Sequence, residues 1–257
     1  MNRRNYLTLI TSAGVTSIAG CTAEQPPEPS SDDPAPPDIS DSADGNPEDY
    51  DANIDDETVL ELGLQTQKAV VDITYGRGGG TGWLIDDTTI VTNSHVIQAA
   101  EDHDINIELY SGETITGTIR GYVDDMIPDI GALAVDLPDA ADYNTLTPGD
   151  ATTLKPEDPL IQVGHPSGIG RWAISVGVLH AKHGRDTLLS TVPSLSGNSG
   201  SPIVNTDGNV VGLTSGGTRV RDPIDYRDTD EIFRDYPTVQ WTTHNPIGTV
   251  TDHLDNW

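Results

Sequence analysis

The chain has 257 residues, of which 41 are acidic and 13 basic, and its formal net charge is −28. This length is enough for one large or two small domains with a substantial hydrophobic core. The acidity excludes the basic face that nucleic-acid binding needs and argues against docking onto anionic lipid, so we expect no nucleic-acid partner.

The first 21 residues have the plan of an export signal. Arg3 and Arg4 precede a modest apolar stretch, and the sequence IAGC ends at the single cysteine, Cys21. The stretch is too short, and too rich in Ser and Thr, to span a bilayer, but its basic start, apolar middle and small residues are typical of a signal peptide. The arginine pair resembles a twin-arginine signal, and IAGC resembles a lipobox, which implies a lipid on Cys21. The alternative is an ordinary signal followed by a free thiol.

Residues 22–57 contain seven prolines and 13 of the acidic residues, with no lysine or arginine. Such a segment cannot bury enough apolar surface to offset its ordering entropy, so we predict a disordered tether. Residues 58–257 still hold more acidic than basic residues, and only three lysines. The domain is therefore expected to be adapted to high salt, where counterions screen its self-repulsion. The alternative is that the tether carries the charge.

Short apolar segments dominate the rest of the chain. Residues 58–67 predict one helix capped by Asp55 or Asp56, and residues 78–82 (GGGTG) predict a flexible turn. Strands are predicted at residues 69–74, 83–85, 89–92, 105–110, 114–122, 130–135, 160–163, 173–179, 187–192, 202–204, 210–214 and 238–243. Short strands without long helical patterns predict an all-β barrel or sandwich. A last helix over residues 245–257 is expected to open at Asn245, with Pro246 in its first position.

The hexapeptide GNSGSP at residues 197–202 places Ser199 between small residues. A tight turn here can aim the amides of Gly197 and Ser199 at one point, beside a nucleophilic hydroxyl. Acyl transfer needs this arrangement, because the developing oxyanion must be stabilised where it forms. On its own, such a string is usually an ordinary turn, so the rest of the chain must supply a base and a residue that orients it.

The sequence also contains a candidate general base and a carboxylate that could orient it. His95 follows the apolar strand at residues 89–92, and Asp129 stands at the start of another apolar strand. Histidine takes and returns a proton near neutral pH, and a carboxylate beside it can hold the required tautomer. Alone, His95 would also fit a buried structural histidine. Asp124 and Asp125 compete for the orienting role but lie in a looser stretch.

These motifs resemble those of trypsin-like serine proteases. VTNSHV (91–96), DIGAL (129–133) and GNSGSP occur in the chymotrypsin order, and VGHPSG (163–168) and VVGL (210–213) resemble second-barrel strands of HtrA proteases. The HtrA/Deg and glutamyl-endopeptidase-like branches are the most similar. The resemblance implies two six-stranded antiparallel β-barrels, at about 68–140 and 155–244, connected through residues 137–158, with the site between them.

The resemblance also implies the roles of individual residues. Ser199 would be the nucleophile, His95 the general base and then acid, and Asp129 its orienter, with an oxyanion hole at Gly197 and Ser199. Candidate residues of the substrate pocket are Pro193, Ser194, Ser215 and Gly216. No cofactor or metal is expected, since His180 and His183 would point to opposite faces of a strand and are interpreted as surface residues.

Three departures from the family pattern bear on function. Asn198 stands where most trypsin-like enzymes have Asp, so we expect no activation by a new N-terminal ammonium. Only a short helix follows the second barrel, so regulation by a PDZ domain is not expected. Residues 219–237 read as an insertion that either borders the substrate pocket or forms a solvated loop.

The sequence thus predicts a serine endopeptidase for protein or peptide substrates, tethered to the outer face of the cytoplasmic membrane. The alternatives are a non-catalytic, chaperone-like peptide-binding module on a protease scaffold and an esterase.

Overall fold

The computed structural model describes residues 50–100, 103–166, 169–183, 187–216, 232–234 and 241–257. The predicted export signal with Cys21, most of the predicted tether and most of the predicted insertion at 219–237 lie outside these residues. In the described part of the chain, no helix is both long and apolar enough to span a bilayer.

Six antiparallel strands close into the first barrel. They are β1 (Val70–Tyr75), β2 (Gly78–Leu84), β3 (Thr89–Thr92), β4 (Ile105–Glu108), β5 (Thr114–Tyr122) and β6 (Gly131–Ala134). Around the barrel the order is β1-β2-β3-β6-β5-β4, and β4 pairs back onto β1. Its core is made of aliphatic side chains, among them Ile73, Leu84, Ile90, Ile107 and Leu133.

The second barrel is built from six further antiparallel strands. They are β7 (Pro159–Gly164), β8 (Ala173–His183), β9 (Thr187–Ser190), β10 (Pro202–Val204), β11 (Val210–Gly216) and β13 (Thr242–Pro246). The order is β8-β7-β10-β11-β13-β9, and the pairing of β8 with β9 closes the ring. The prediction of two six-stranded barrels is confirmed. A short strand, β12 (Ile232–Phe233), adds a parallel pairing to β8 inside the predicted insertion.

Three α-helices accompany the barrels in the described residues, namely α1 (Asp56–Gln67), α2 (Ser94–Ile97) and α3 (Ile247–Leu254), and two short 3₁₀ helices lie at Gln98–Ala100 and Ala151–Thr153. The predicted cap of α1 is confirmed, because Asp55 accepts a hydrogen bond from the Thr58 amide at 2.9 Å. The predicted start of α3 is wrong. Asn245 and Pro246 end strand β13, where they pair with Leu213 and Gly212, so the helix begins at Ile247.

The glycine run at residues 78–82 is also not a turn. It lies in β2, in register with β1, from Tyr75 opposite Gly78 to Val71 opposite Gly82. The glycines are needed because neighbours approach closely. A Cβ at Gly82 would lie 2.6 Å from the Ile90 Cγ2 atom, and one at Gly79 would collide with the Ile73 carbonyl. The low β-propensity of glycine is therefore outweighed here by the close packing that only glycine permits.

Candidate active site

His95 and Asp129 form a close pair at the edge of the first barrel. The His95 Nδ1 atom lies 2.6 Å from Asp129 Oδ2, and the His95 amide donates to Asp129 Oδ1 at 3.1 Å. An ionised carboxylate only accepts hydrogen bonds, so Nδ1 carries the proton and the lone pair of the imidazole is on Nε2. The Asp129 side chain is 13 % exposed and that of His95 38 %, so the imidazole remains accessible to a substrate.

The backbone around Asp129 is held from both barrels. The Asn93 side-chain amide donates to the Asp129 carbonyl at 2.7 Å, and the Asn245 side-chain amide, from β13, donates to the same oxygen at 3.0 Å. The Ser94 hydroxyl donates to the Ile130 carbonyl at 2.6 Å. The two residues before His95 therefore fix the strand that carries its carboxylate partner.

Ser199 lies in the loop between β9 and β10. Gly197 and Gly200, on either side of it, have φ angles of 96° and 87°, which side chains rarely adopt. The Gly200 amide donates to the Thr214 carbonyl at 2.8 Å, and the Asn198 amide donates to the Leu195 carbonyl at 2.9 Å. The loop therefore has a defined conformation that depends on its glycines.

The Ser199 loop meets the first barrel next to His95. The Thr81 amide donates to the Ser199 carbonyl at 2.8 Å. Gly80 separates Ser199 from Val96, the neighbour of His95: a Cβ at Gly80 would lie 3.1 Å from the Ser199 carbonyl oxygen and 2.8 Å from Val96 Cγ2. The structure thus places the backbone of the Ser199 loop against β2 and next to α2, the helix that carries His95.

The amides of Gly197 and Ser199 are available to a ligand. Neither donates a hydrogen bond to another described residue. The Gly197 carbonyl, by contrast, accepts from the Thr81 hydroxyl at 2.7 Å. This loop can therefore offer two backbone donors to a developing negative charge.

The predicted pocket residues differ in exposure. Pro193 and Ser194 are buried, and the Ser194 hydroxyl has no partner among the described residues. Ser215 and Gly216, at the end of β11, are half-buried. Asn198 is 1 % exposed, and neither polar atom of its amide group has a described partner.

Among the described residues, no cluster of His, Cys, Asp and Glu has the arrangement of a metal site. His180 and His183, interpreted as surface residues, differ in exposure, since His183 is exposed and His180 is less so. His180 is half-buried, and its ring stacks on Trp241 with the centroids 3.7 Å apart.

Sequence reasoning missed several residues that support the site. Asn93 and Ser94 lie in the VTNSHV motif, but nothing in the sequence assigned them a role. Thr81 carried no signal, and the signal at Asn245 was for a helix start rather than for a contact with Asp129. His165, in the VGHPSG motif, packs against Trp172 and accepts the Trp172 amide on Nδ1 at 3.3 Å. Burial, followed by the charge of Arg171, lowers the pKa of His165 to about 3, so its ring stays neutral.

Comparison with known proteins decides the family. Residues 80–213, more than half of the chain, match the family described as a trypsin-like peptidase domain. The chain belongs to the trypsin-like peptidases. Deg5, whose crystal structure matches with a TM-score of 0.59, shares this fold at 22% sequence identity, over 76% of this chain and 91% of Deg5.

This trypsin-like peptidase also has curated relatives. It is 32% identical to a probable periplasmic serine endoprotease DegP-like of Chlamydia muridarum, over 53% of this chain and 28% of the relative. The DegP-like protein of Halomonas elongata is also 32% identical, over 54% of this chain and 29% of the relative. The serine protease Do-like HtrB of Bacillus subtilis is 26% identical, over 60% of this chain and 38% of the relative. The matches with the two DegP-like proteins span less than a third of the relatives' length.

Proposed function

We propose that this protein is a serine endopeptidase that cleaves peptide bonds through an acyl-enzyme. The observation that carries the proposal is the 2.6 Å contact between His95 Nδ1 and Asp129 Oδ2, which leaves His95 Nε2 unprotonated to act as the base for Ser199. The family match and the DegP-like relatives support the same reaction class.

In the acylation step, Ser199 Oγ attacks the carbonyl carbon of the substrate while its proton passes to His95 Nε2. The carbonyl π pair moves onto oxygen, and the amides of Gly197 and Ser199 stabilise that charge. Asp129 stabilises the imidazolium. When the intermediate collapses, the C–N bond breaks and His95 returns the proton to the leaving amine. Water then attacks the acyl group by the same steps, which frees the carboxylate product and Ser199.

The first prediction concerns the nucleophile and its base. In high salt, the full-length protein is expected to react with a fluorophosphonate probe, while Ser199→Ala and His95→Ala are not. On a protein substrate such as casein, Ser199→Ala is expected to lower kcat by about a million-fold, as loss of a triad member does. The measurements are probe labelling and casein turnover.

A matched control is available in the same loop. Ser196 is exposed and three residues before Ser199, so Ser196→Ala is expected to label and turn over like the wild type. Residual activity of Ser199→Ala within tenfold of wild type would contradict the proposal. A folded wild-type protein that does not label would favour the non-catalytic peptide-binding module. Turnover of a short-chain nitrophenyl ester without cleavage of casein would favour an esterase.

We further propose that the enzyme acts outside the cytoplasm, on the outer face of the cytoplasmic membrane, in protein quality control or processing. Support comes from the signal-like residues 1–21, from the lipobox-like sequence before Cys21, and from relatives whose names describe them as periplasmic. Adaptation to high salt is part of the same proposal and rests on the acidic excess within residues 58–257.

A further inference from the structure

Thr81 joins the first barrel to the Ser199 loop through both its backbone and its side chain. It lies in β2 and is fully buried. Strand β3 pairs with β2 only at Trp83 and Leu84, so the edge of β2 at Thr81 is left for another partner. That partner is the Ser199 loop, because the Thr81 amide donates to the Ser199 carbonyl at 2.8 Å.

The Thr81 hydroxyl has a single consistent hydrogen-bond direction. It accepts from the His165 amide at 3.1 Å, and it donates to the Gly197 carbonyl at 2.7 Å. A backbone amide can only donate and a carbonyl can only accept, so the two contacts fix the hydroxyl proton toward Gly197. The Thr81 carbonyl is fixed in turn by the Thr92 hydroxyl at 2.7 Å.

The two carbonyls that Thr81 binds belong to Gly197 and Ser199, the residues whose amides donate to no other described residue. Gly197 has a φ angle of 96°, and a glycine has little intrinsic preference that would hold it there. The Ser199 amide belongs to the peptide unit between the two anchored carbonyls, and the Gly197 amide belongs to the unit directly before the first of them, so the anchors restrict the rotation of both units. The direction of the two amides therefore depends on Thr81.

We propose that Thr81 is a positioning residue for the oxyanion hole. Its hydroxyl and amide hold the Ser199 loop in the conformation that aims the Gly197 and Ser199 amides at the developing oxyanion. The inference rests on the proposed endopeptidase function, and it assigns a catalytic consequence to a residue that does not itself touch the reacting atoms.

The test compares Thr81→Val and Thr81→Ala, which remove the hydroxyl, with Thr81→Ser, which keeps it. Because loss of one oxyanion donor costs about 100- to 1,000-fold in kcat, misdirected donors are expected to cost about 10- to 100-fold. KM is expected to stay within about threefold, since the transition state depends on these amides more than the bound substrate does. Thr81→Ser is expected to stay within about threefold of wild type in both constants.

The matched control is Thr66→Val. Thr66 is also buried and also donates from its hydroxyl to a backbone carbonyl, that of Leu62 at 2.7 Å, but it lies in α1. Its kcat is expected to equal that of wild type. Melting temperatures of all variants show whether each is folded at the assay temperature. If Thr81→Val does not fold, Thr81→Ala provides the variant without the hydroxyl.

Two results would overturn the inference. A folded Thr81→Val or Thr81→Ala with wild-type kcat would show that the contacts are structural only. A loss of kcat in Thr81→Ser as large as that in Thr81→Val would assign the effect to the methyl group rather than to the hydroxyl. Failure of the proposed function is distinguishable, because the wild type itself would then neither label nor cleave.

Discussion

At the scale of single residues, Asn198 bears on the prediction that no new N-terminal ammonium activates this protein. Its side chain is buried beside Ser199, with no described hydrogen-bond partner. A Cβ at Gly164 would lie 2.5 Å from Asn198 Oδ1 and would collide with the Ser201 hydroxyl, so the surroundings are tightly packed. A neutral amide suits this position because a buried carboxylate would need a cation.

We therefore expect Asn198→Asp to destabilise the protein by about 3 kcal/mol or more at neutral pH. Burial raises the pKa of such a carboxyl, so the folded state binds more protons than the unfolded state above pH 4. The difference in the free energy of unfolding between wild type and Asn198→Asp should consequently grow as the pH rises from 4.5 to 8. The measurement is the melting temperature of both proteins at these two pH values.

Asn106→Asp provides the control for this prediction, because Asn106 is exposed on β4. Its melting temperature is expected to follow that of wild type. An Asn198→Asp variant as stable as wild type at pH 8 would mean that a cation reaches the buried position.

At the scale of elements, helix α1 is fastened to the second barrel by close packing. The Thr58 amide and then the Thr58 hydroxyl lower the pKa of the capping residue Asp55, so its charge persists at the helix N-terminus. At the other end, the Gln67 side chain donates to the Trp172 carbonyl at 2.8 Å. Between them, Gly63 faces Ile174 of β8, and a Cβ there would lie 2.5 to 2.9 Å from three Ile174 side-chain atoms.

Gly63→Ala is therefore expected to destabilise the protein by about 1–3 kcal/mol, although alanine is the better helix former. Ile174 is fully buried, so a shift of its side chain would disturb the packing of its other neighbours. Urea unfolding measures this change in stability. The double variant Gly63→Ala/Ile174→Val should lose less stability than the two single variants lose in sum, because the smaller Val makes room for the alanine Cβ. A stabilised Gly63→Ala would show that helix propensity outweighs the packing.

At the scale of the whole molecule, the candidate active site depends on contacts between the barrels. Asn245 of the second barrel donates to the Asp129 carbonyl, and Thr81 of the first barrel donates to the Ser199 loop.

The charge of the protein also acts at the scale of the whole molecule. With a formal net charge of −28, exposed carboxylates repel one another, and this repulsion weakens as the Debye length falls from about 10 Å at 0.1 M salt to about 3 Å at 1 M.

The melting temperature is therefore expected to rise markedly between dilute buffer and molar NaCl. A triple variant of the exposed residues Asp104, Asp139 and Asp252 to Asn is expected to be more stable than wild type in dilute buffer and to depend less on salt. Differential scanning calorimetry of both proteins checks this. Equal salt dependence of the two proteins would contradict an electrostatic origin.

Much of the fold and of the candidate site was predictable because the signals are local. The hairpin of β10 and β11 follows from the sequence NTDG at residues 205–208, which is typical of a tight turn, and the cap of α1 follows from Asp55. His95, Asp129 and Ser199 stand out because each follows or precedes an apolar strand in a recognisable order. Residue types within a few positions of one another carry this information, so no tertiary contact is needed to read it.

Other features depended on the packing of distant segments. The glycine run in β2 looks like a turn until β1 lies beside it, and Asn245 looks like a helix start until β11 pairs with it. Thr81 gains its role only where the Ser199 loop, more than a hundred residues later, reaches the open edge of β2. Strand register and close approach are properties of the closed barrels, and local sequence preferences do not encode which distant atoms will meet.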